Sequence, residues 1–227
     1  MRQRTQSVNA LRAHLAELGI IATAGLAKVE ALVAIIRDET DARLPAAARF
    51  ALMAIADEIE ASADQIERLE RAIVAEAKHD EDMRRLTTIP GVGAITAATI
   101  KALVPDRDRL ERAPDPGGFK SARHFAAWLG LTPRPHSSGG KERLGRISKM
   151  GNPELRSLLV VGATAVLRLV RNDVRARPWL KALLARRPFK VAAVAQANKT
   201  ARIIWALLDK GGIYRRPDPL AHWRLPR

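Results

Sequence analysis

Apolar positions recur along most of the chain at helical spacing. Between Thr5 and Leu18 they fall three or four residues apart, and Gly19 ends the pattern. This spacing places apolar side chains on one face of a helix. Similar segments are predicted at 29–43, from Pro45 to about Lys78, at 119–129, at 155–170 and at 191–208. The pattern therefore predicts a mainly α fold, with a long helical arm followed by an all-helical domain.

The long segment after Pro45 has a seven-residue repeat. Its apolar positions are Leu52, Ile59, Ile66 and Ile73, with Ile55 and Leu69 at the complementary position and mostly charged residues outside. A repeat of this kind is typical of a coiled coil. We expect it to pair two subunits, because so long an acidic arm has little core of its own to cover. Packing within its own chain is the alternative.

Residues 86–100 have the form of a helix-hairpin-helix. Pro90 fixes φ, and Gly91 and Gly93 permit a tight turn before the next apolar segment. The free amides at the start of that helix are suited to a nucleic-acid phosphate, which they would position without reading sequence. An ordinary helical hairpin is the alternative.

Residues 137–156 combine hydroxyls, glycines and cations without an apolar period. Glycine lets backbone approach a ligand closely, and Asn152, Pro153 and Glu154 have the order of an N-cap, a first helical proline and a first-turn acid. We therefore expect an anion-binding loop that leads into a helix, with phosphate as the ligand. The cations expected to hold it are Lys141, Arg143, Arg146, Lys149 and Arg156. A solvated basic turn is the alternative.

Charge is distributed unequally between the two parts of the chain. Residues 1–82 hold 10 Lys and Arg against 15 Asp and Glu, whereas residues 83–227 hold 29 against 9. The excess of positive charge in residues 83–227 favours binding of DNA or RNA, whose phosphates are negatively charged. The chain has no cysteine, no apolar leader and no run long enough for a bilayer. We therefore expect a cytoplasmic protein with a nucleic-acid partner and no membrane.

A family resemblance rests on five segments, which are Arg123–Pro133, Ser137–Lys141, Gly145–Lys149, Gly151–Asn152 and Leu155–Arg156. It continues in 89–93 and 197–208, so that it covers most of the chain. Together these segments resemble the C-terminal domain of one insertion-sequence transposase family. That family comprises RNA-guided recombinases in which a RuvC-like DEDD domain is joined to a serine-bearing domain.

The resemblance implies a catalytic serine and a set of binding partners for the chain. The family's nucleophile stands directly before glycine, which corresponds to Ser138, with Ser137 at the adjacent register. The family's metal is held by the DEDD carboxylates, none of which lies in this chain. The resemblance thus implies no metal site or cofactor here, and Mg²⁺ only where that carboxylate domain is present. It further implies DNA and guide RNA as partners, and a homo-oligomer formed through the coiled coil.

The resemblance also divides the chain. Residues 1–25 correspond to the end of a missing RuvC-like region, 26–82 to the coiled-coil arm, 83–212 to the basic serine domain and 213–227 to a basic flexible tail. Residues 106–113 are an insertion of unknown role. The resulting prediction is a truncated part of a DNA transposase, inactive alone. The alternatives are a non-catalytic helix-hairpin-helix module that only binds nucleic acid and, third, a structural dimerisation protein.

Overall fold

The computed structural model describes residues 2–23, 25, 27–104, 119–136, 144–172 and 178–215. In that part of the chain the mainly α prediction is confirmed. The helices are α1 (Arg2–Glu17), α2 (Ala27–Arg37), α3 (Ala46–His79), α4 (Glu81–Thr87), α5 (Ala94–Leu103), α6 (Ala122–Trp128), α7 (Pro153–Asn172), α8 (Pro178–Arg186) and α9 (Phe189–Lys210). Two short strands, β1 (Pro133–Pro135) and β2 (Leu144–Ile147), lie between α6 and α7. None of the described helices is long and apolar enough to cross a membrane.

The chain forms two compact units, Met1–Ala72 and Ile73–Arg227. The division falls within α3. The boundary between arm and basic domain at residue 82, which the resemblance implies, stays a prediction. In the first unit, α1, α2 and the first half of α3 share one core, so the segment 1–25 packs with the arm that follows it. This core consists of Val8, Leu11, Leu15, Ile20, Val29, Leu32, Val33, Ile36, Leu44, Leu52, Ala56 and Ile59.

Helix α2 ends at Arg37, six residues before the predicted end. The Asp38 carboxylate accepts hydrogen bonds from the backbone nitrogen and hydroxyl of Thr40, which favours a turn. The buried side chain of Arg49 stabilises this end, because its Nη1 donates to the carbonyl of Ile36 (2.8 Å) and its Nη2 to that of Asp41 (2.6 Å). The bond to Ile36 satisfies one of the carbonyls that the end of α2 leaves without a helical partner.

The predicted long helix is confirmed, since α3 has 34 residues. Its seven-residue repeat, however, does not form one continuous surface for a partner. Leu52 and Ile59 are buried in the first unit, so for them the alternative of packing within the chain is correct. Ile66 is half-buried, and Leu69 is 62% exposed. The part of the repeat that is open to a second subunit therefore begins beyond Ile59.

The main core of the second unit lies between α4, α5, α6, α7 and α9. Phe125, Leu129 and Leu155 are fully buried, as the sequence predicted for Phe125 and Leu129. The rings of Phe119 and Phe125 meet edge to face, with their centroids 5.1 Å apart. A smaller core lies between α7, α8 and α9. Helix α7 contributes to both cores, with its N-terminal part in the main core and its C-terminal part in the smaller one.

The prediction of an all-helical second part missed one short antiparallel hairpin. Strand β1 pairs with β2 so that Pro133 lies opposite Ile147 and Pro135 opposite Leu144, with an irregularity between the two pairs. Proline lacks the donor that a strand needs, and Gly145 lowers strand propensity. The local pattern therefore gave no strand signal.

Candidate nucleic-acid interface

The candidate serine loop connects the two strands of the β1–β2 hairpin. Ser137, Ser138, Lys141 and Arg143 lie outside the described residues, so their predicted roles remain predictions. The described residues on either side of them define how the hairpin is held.

Backbone hydrogen bonds fix the base of the hairpin. The nitrogen of Ser148 donates to the carbonyl of Thr132 at 2.9 Å, and the nitrogen of Lys149 donates to that of Gly130 at 3.1 Å. The guanidinium of Arg134 reaches across the strands and donates to the Ser148 carbonyl at 2.9 Å. The sequence gives no sign of this role for Arg134, because nothing in a Pro-Arg-Pro segment indicates a cross-strand contact.

Glycine permits a close crossing between the end of α6 and the segment that follows β2. Gly130 and Gly151 have φ values of 68° and 71°, and Lys149 has a φ of 56°. A Cβ atom at Gly130 would lie 2.4 Å from the backbone nitrogen of Met150, and one at Gly151 would lie 1.9 Å from the Trp128 carbonyl. Gly151 thus serves backbone packing beneath the hairpin.

The predicted start of the next helix is confirmed. Asn152 Oδ1 accepts a hydrogen bond from the backbone nitrogen of Leu155 at 2.8 Å, and Pro153 is the first residue of α7. Glu154 lies in the first turn, where a carboxylate is favoured by the helix dipole.

Arg156 connects α7 to the base of the hairpin. Its Nη1 donates to the carbonyl of Leu129 at 3.0 Å and to that of Met150 at 2.8 Å. Arg156 as a whole is half-buried. Arg156 therefore joins three segments of the frame, and the role predicted for it in phosphate binding stays a prediction.

Exposed cations lie beside this frame. Arg146 on β2 and Lys149 just after it are both exposed, as a phosphate contact requires. The exposed His136 lies immediately before the undescribed loop, and its imidazole lies against Gly145, where an added Cβ would be 2.3 Å from its Cδ2. Glycine at position 145 therefore makes room for this ring.

The predicted helical hairpin consists of α4, a turn and α5. Gly91 has a φ of 85°, which favours glycine, whereas Gly93 has an ordinary φ of −94° and is the N-cap of α5. A Cβ at Gly91 would lie 2.7 Å from the carbonyl oxygen of Gly162 in α7, and one at Gly93 would meet nothing within 4 Å. Gly91 is thus required for packing on α7, while Gly93 leaves open space at the start of α5.

Asp80 links the two helices of this hairpin. Its Oδ1 accepts a hydrogen bond from the backbone nitrogen of Met83 at 2.9 Å, which caps α4, and its Oδ2 forms an ion pair with Lys101 of α5. The hydrogen bond from Lys101, followed by that from Met83, lowers the pKa of Asp80. The pair leaves no local signal in the sequence, because 21 residues separate its members.

The described residues contain no group of three or more His, Asp or Glu side chains that could hold a metal ion. Among these residues there is therefore no cluster that fits a Mg²⁺ site by itself.

Known proteins resemble this chain over nearly all of its length. A probable family 20 transposase of Pseudomonas aeruginosa is 44% identical over 217 residues, which are 95% of this chain and 62% of that protein. A putative transposase of Sinorhizobium fredii is 43% identical over 96% of this chain and 54% of its own length. The transposase for insertion sequence element IS1111A of Coxiella burnetii is 40% identical over 95% of this chain and 57% of its own length.

The chain thus spans little more than half the length of these relatives. The family model that matches it is described as Transposase IS116/IS110/IS902 family and covers residues 83–182. That range includes the α4–α5 hairpin, the β1–β2 hairpin and α7. Over residues 83–182, the chain is therefore similar to the IS116/IS110/IS902 family of transposases.

Proposed function

We propose that this chain is the DNA-binding and serine-bearing part of a transposase that acts in DNA transposition. The observation that carries the proposal is the β1–β2 hairpin, whose strands flank residues 137–143 in the sequence and whose base is tied to α6 and α7. Arg146 and Lys149 are exposed beside it. A fixed base with exposed cations is suited to holding a phosphate in one place.

The distribution of charge supports a polyanionic substrate. Residues 83–227 carry 29 Lys and Arg against 9 Asp and Glu, and Arg146, Lys149 and the open start of α5 belong to this part. Cations of this kind neutralise DNA phosphates and release counterions. The phosphate contacts proposed for Gly91 and Gly93 would be made by the backbone amides of the turn between α4 and α5. Of the two glycines, Gly93 has the more open surroundings.

We assign the nucleophile to Ser138. Its Oγ would attack the phosphorus of a DNA phosphodiester, forming a serine–phosphate ester while the bond to the leaving DNA oxygen breaks. The serine proton passes to a base, and the leaving oxygen takes up a proton. Lys141, Arg143, Arg146 and Lys149 would stabilise the charge that develops on the phosphate.

The described residues do not supply the carboxylates that this reaction would use with Mg²⁺. We propose that these carboxylates belong to a RuvC-like DEDD domain, which the greater length of the relatives could accommodate. Alone, this chain is then expected to bind DNA without cutting it.

We also propose a guide RNA as partner, since the basic part can neutralise RNA as well as DNA. Sequencing the RNA that copurifies with the protein tests this proposal. One recurrent structured RNA would support it, and random cellular fragments would contradict it.

Self-association is proposed for the second half of α3. Leu69 is exposed, and a groove of about 550 Å³ in the first unit runs beside Ile66 between α1 and α3. Covering this apolar surface would favour pairing with a second copy. Sedimentation of a Leu69→Asp variant tests it.

A non-catalytic nucleic-acid-binding module is the second candidate. It is favoured by the open space at Gly93, where α5 begins without a side-chain cap. Such a module would position DNA through backbone amides without any need for Ser138. The experiment on the serine separates the two candidates.

The experiment combines this chain with a separately supplied RuvC-like carboxylate domain of the family, Mg²⁺, guide RNA and labelled target DNA. We expect a covalent protein–DNA adduct on a denaturing gel. It should disappear with Ser138→Ala and persist with Ser137→Ala, which is the matched control. An adduct that survives Ser138→Ala would show that the nucleophile is wrongly assigned. If no adduct forms although DNA binding is intact, the non-catalytic module is the better account.

A further inference from the structure

A groove on the second unit, remote in sequence from the serine loop, combines cations with aromatic and apolar surface. It has a volume of about 810 Å³ and follows one face of α9 from Ala195 to Lys210, a length of ~22 Å at 1.5 Å per residue. We call it the α9 groove. Its charged and aromatic side chains are Trp179, Lys199, Arg202, Lys210, Tyr214 and Arg215.

The described residues that line the α9 groove include no Asp or Glu. Arg202, Lys210 and Arg215 are exposed on its rim. By contrast, two grooves of the first unit include carboxylates as well as cations in their lining, among them Glu67 in one and Glu60 in the other. The charge of the α9 groove therefore suits an anionic occupant and disfavours a cationic one.

Apolar and aromatic surface occupies the space between these cations. Ile203 and Leu207 form part of the lining, and Ile213 is 58% exposed. Trp179 is 36% exposed, and Lys199 Nζ lies 4.2 Å from the centroid of its ring. A cation–π contact of this kind holds the indole in position. A free phosphate or a metal complex would gain nothing from such a surface.

One end of the α9 groove is held in place by Arg85 of α4 and by Thr88, the residue that caps the end of this helix. Arg85 donates through Nη2 to the carbonyl of Leu207 and through Nε to that of Gly212, each at 3.1 Å. The backbone nitrogen of Tyr214 donates to Thr88 Oγ1 at 3.0 Å. These bonds fix the segment that follows α9, so the aromatic and basic side chains at this end sit on a preformed backbone.

We propose that the α9 groove binds a single-stranded segment of nucleic acid. Unpaired strands expose both the phosphate backbone and the faces of their bases, and proteins hold them with a basic groove that contains aromatic side chains. In a duplex the bases are stacked, so they could not reach Trp179 or the apolar lining. This inference rests on the proposed nucleic-acid function and adds a second site, with a different substrate form.

The test measures anisotropy of labelled T16, labelled U16 and a 16-base-pair duplex with the full chain. Comparison of T16 with U16 separates DNA from RNA as the source of the strand. The first variant is Arg202→Glu with Arg215→Glu, and its matched control is Arg186→Glu with Arg187→Glu, which makes the same charge change at exposed positions that do not line the groove. A second variant, Trp179→Ala, is compared with Trp179→Phe, and circular dichroism verifies folding.

We expect the groove charge variant to bind the preferred strand at least about tenfold more weakly than the control, with a log–log salt slope less negative by about 1.4. Trp179→Ala should weaken binding about fivefold or more, and Trp179→Phe should retain most of it. Duplex binding should change by less than about twofold relative to the control.

Three results would overturn the α9 groove as a strand site. The first is that the wild type does not bind the single strand, and the second is that the groove and control variants weaken binding equally. The third is that poly-glutamate at equal charge displaces the strand, which would assign the groove to an acidic protein segment. Each leaves the proposed function intact as long as the duplex is bound. If the wild type does not bind the duplex, the proposed function itself is contradicted.

Discussion

Gly91 and Gly162 are in direct backbone contact, although 71 positions separate them. A Cβ atom at Gly162 would lie 1.9 Å from the carbonyl oxygen of Gly91. The sequence correctly indicated a tight turn at Gly91 and Gly93, but it gave both glycines the same role. It could not show that one of them is required by α7, because a contact between distant segments leaves no local pattern. Gly162 itself lies within a helix, where glycine carries no turn signal.

At the residue scale we predict that Gly162→Ala destabilises the second unit. Alanine normally improves a helix interior by up to about 1 kcal/mol, but here its methyl group would push the α4–α5 turn away from α7. We expect a net loss of about 1–3 kcal/mol in the free energy of unfolding. Urea denaturation followed by circular dichroism measures it.

Gly93→Ala is the control for this prediction, because its Cβ meets nothing within 4 Å and its φ is ordinary. We expect it to cost clearly less than Gly162→Ala. Equal stability of Gly162→Ala and the wild type would show that the contact between turn and helix is not tight in solution.

At the scale of the elements, apolar periodicity predicted most helices well. Asn152 and Pro153 gave the start of α7, and the long α3 was indicated by its repeat. The same repeat could not show which partner covers each position, since Leu52 and Ile59 follow the same spacing as Leu69 yet are buried by α1 and α2. The β1–β2 hairpin was missed because its prolines and glycine oppose strand formation, while hydrogen bonds to Gly130 and Thr132 stabilise it.

We predict that Leu69→Asp weakens self-association without unfolding α3. Its side chain is 62% exposed, so a charge there costs little in the single chain but opposes burial between subunits. Analytical ultracentrifugation should show a shift towards monomer, with an unchanged helical content.

Ile59→Asp serves as the contrast. Ile59 is 3% exposed, so its replacement should unfold the first unit. A wild type that remains monomeric at high concentration would contradict the proposed role of α3.

The link between α4 and α5 gives a prediction that depends on pH. Asp80→Ala removes the cap of α4 and the ion pair with Lys101, and we expect it to destabilise the second unit by about 0.5–2 kcal/mol at neutral pH. The pKa of Asp80 is lowered in the folded state from its usual value of 3.8. Its contribution is therefore fully present above pH ~4 and is lost as pH falls through the lowered pKa of the folded state.

Urea titrations of wild type and Asp80→Ala at several pH values measure this effect. The difference between the two proteins should shrink as the pH falls below about 4. A difference that stays constant down to pH 2 would mean that the charge of Asp80 contributes nothing.

At the scale of the whole molecule, charge is the feature that sequence alone predicts best. The unequal division between residues 1–82 and 83–227 needs no coordinates, and neither does the basic character of the loop at 137–143. The position of cations relative to one another does need them. The α9 groove joins Trp179 to Arg202 and Arg215 from separate elements, so no single segment of sequence carries its pattern. Arginine is a common phosphate ligand, so the sequence alone favours that role for Arg156. Its hydrogen bonds to the carbonyls of Leu129 and Met150 can be seen only in the structure.

The central claim is that the second unit binds DNA through its phosphates, with Arg146 and Lys149 among the contacts. The most direct measurement is duplex affinity at several salt concentrations, for the wild type, for Arg146→Ala with Lys149→Ala, and for the control Arg186→Ala with Arg187→Ala. With about six phosphate contacts the wild type should give a log–log slope of about −5, and the hairpin variant a slope less negative by about 2. The control should stay close to the wild type. A wild-type slope near zero, or equal effects of the two variants, would contradict the account.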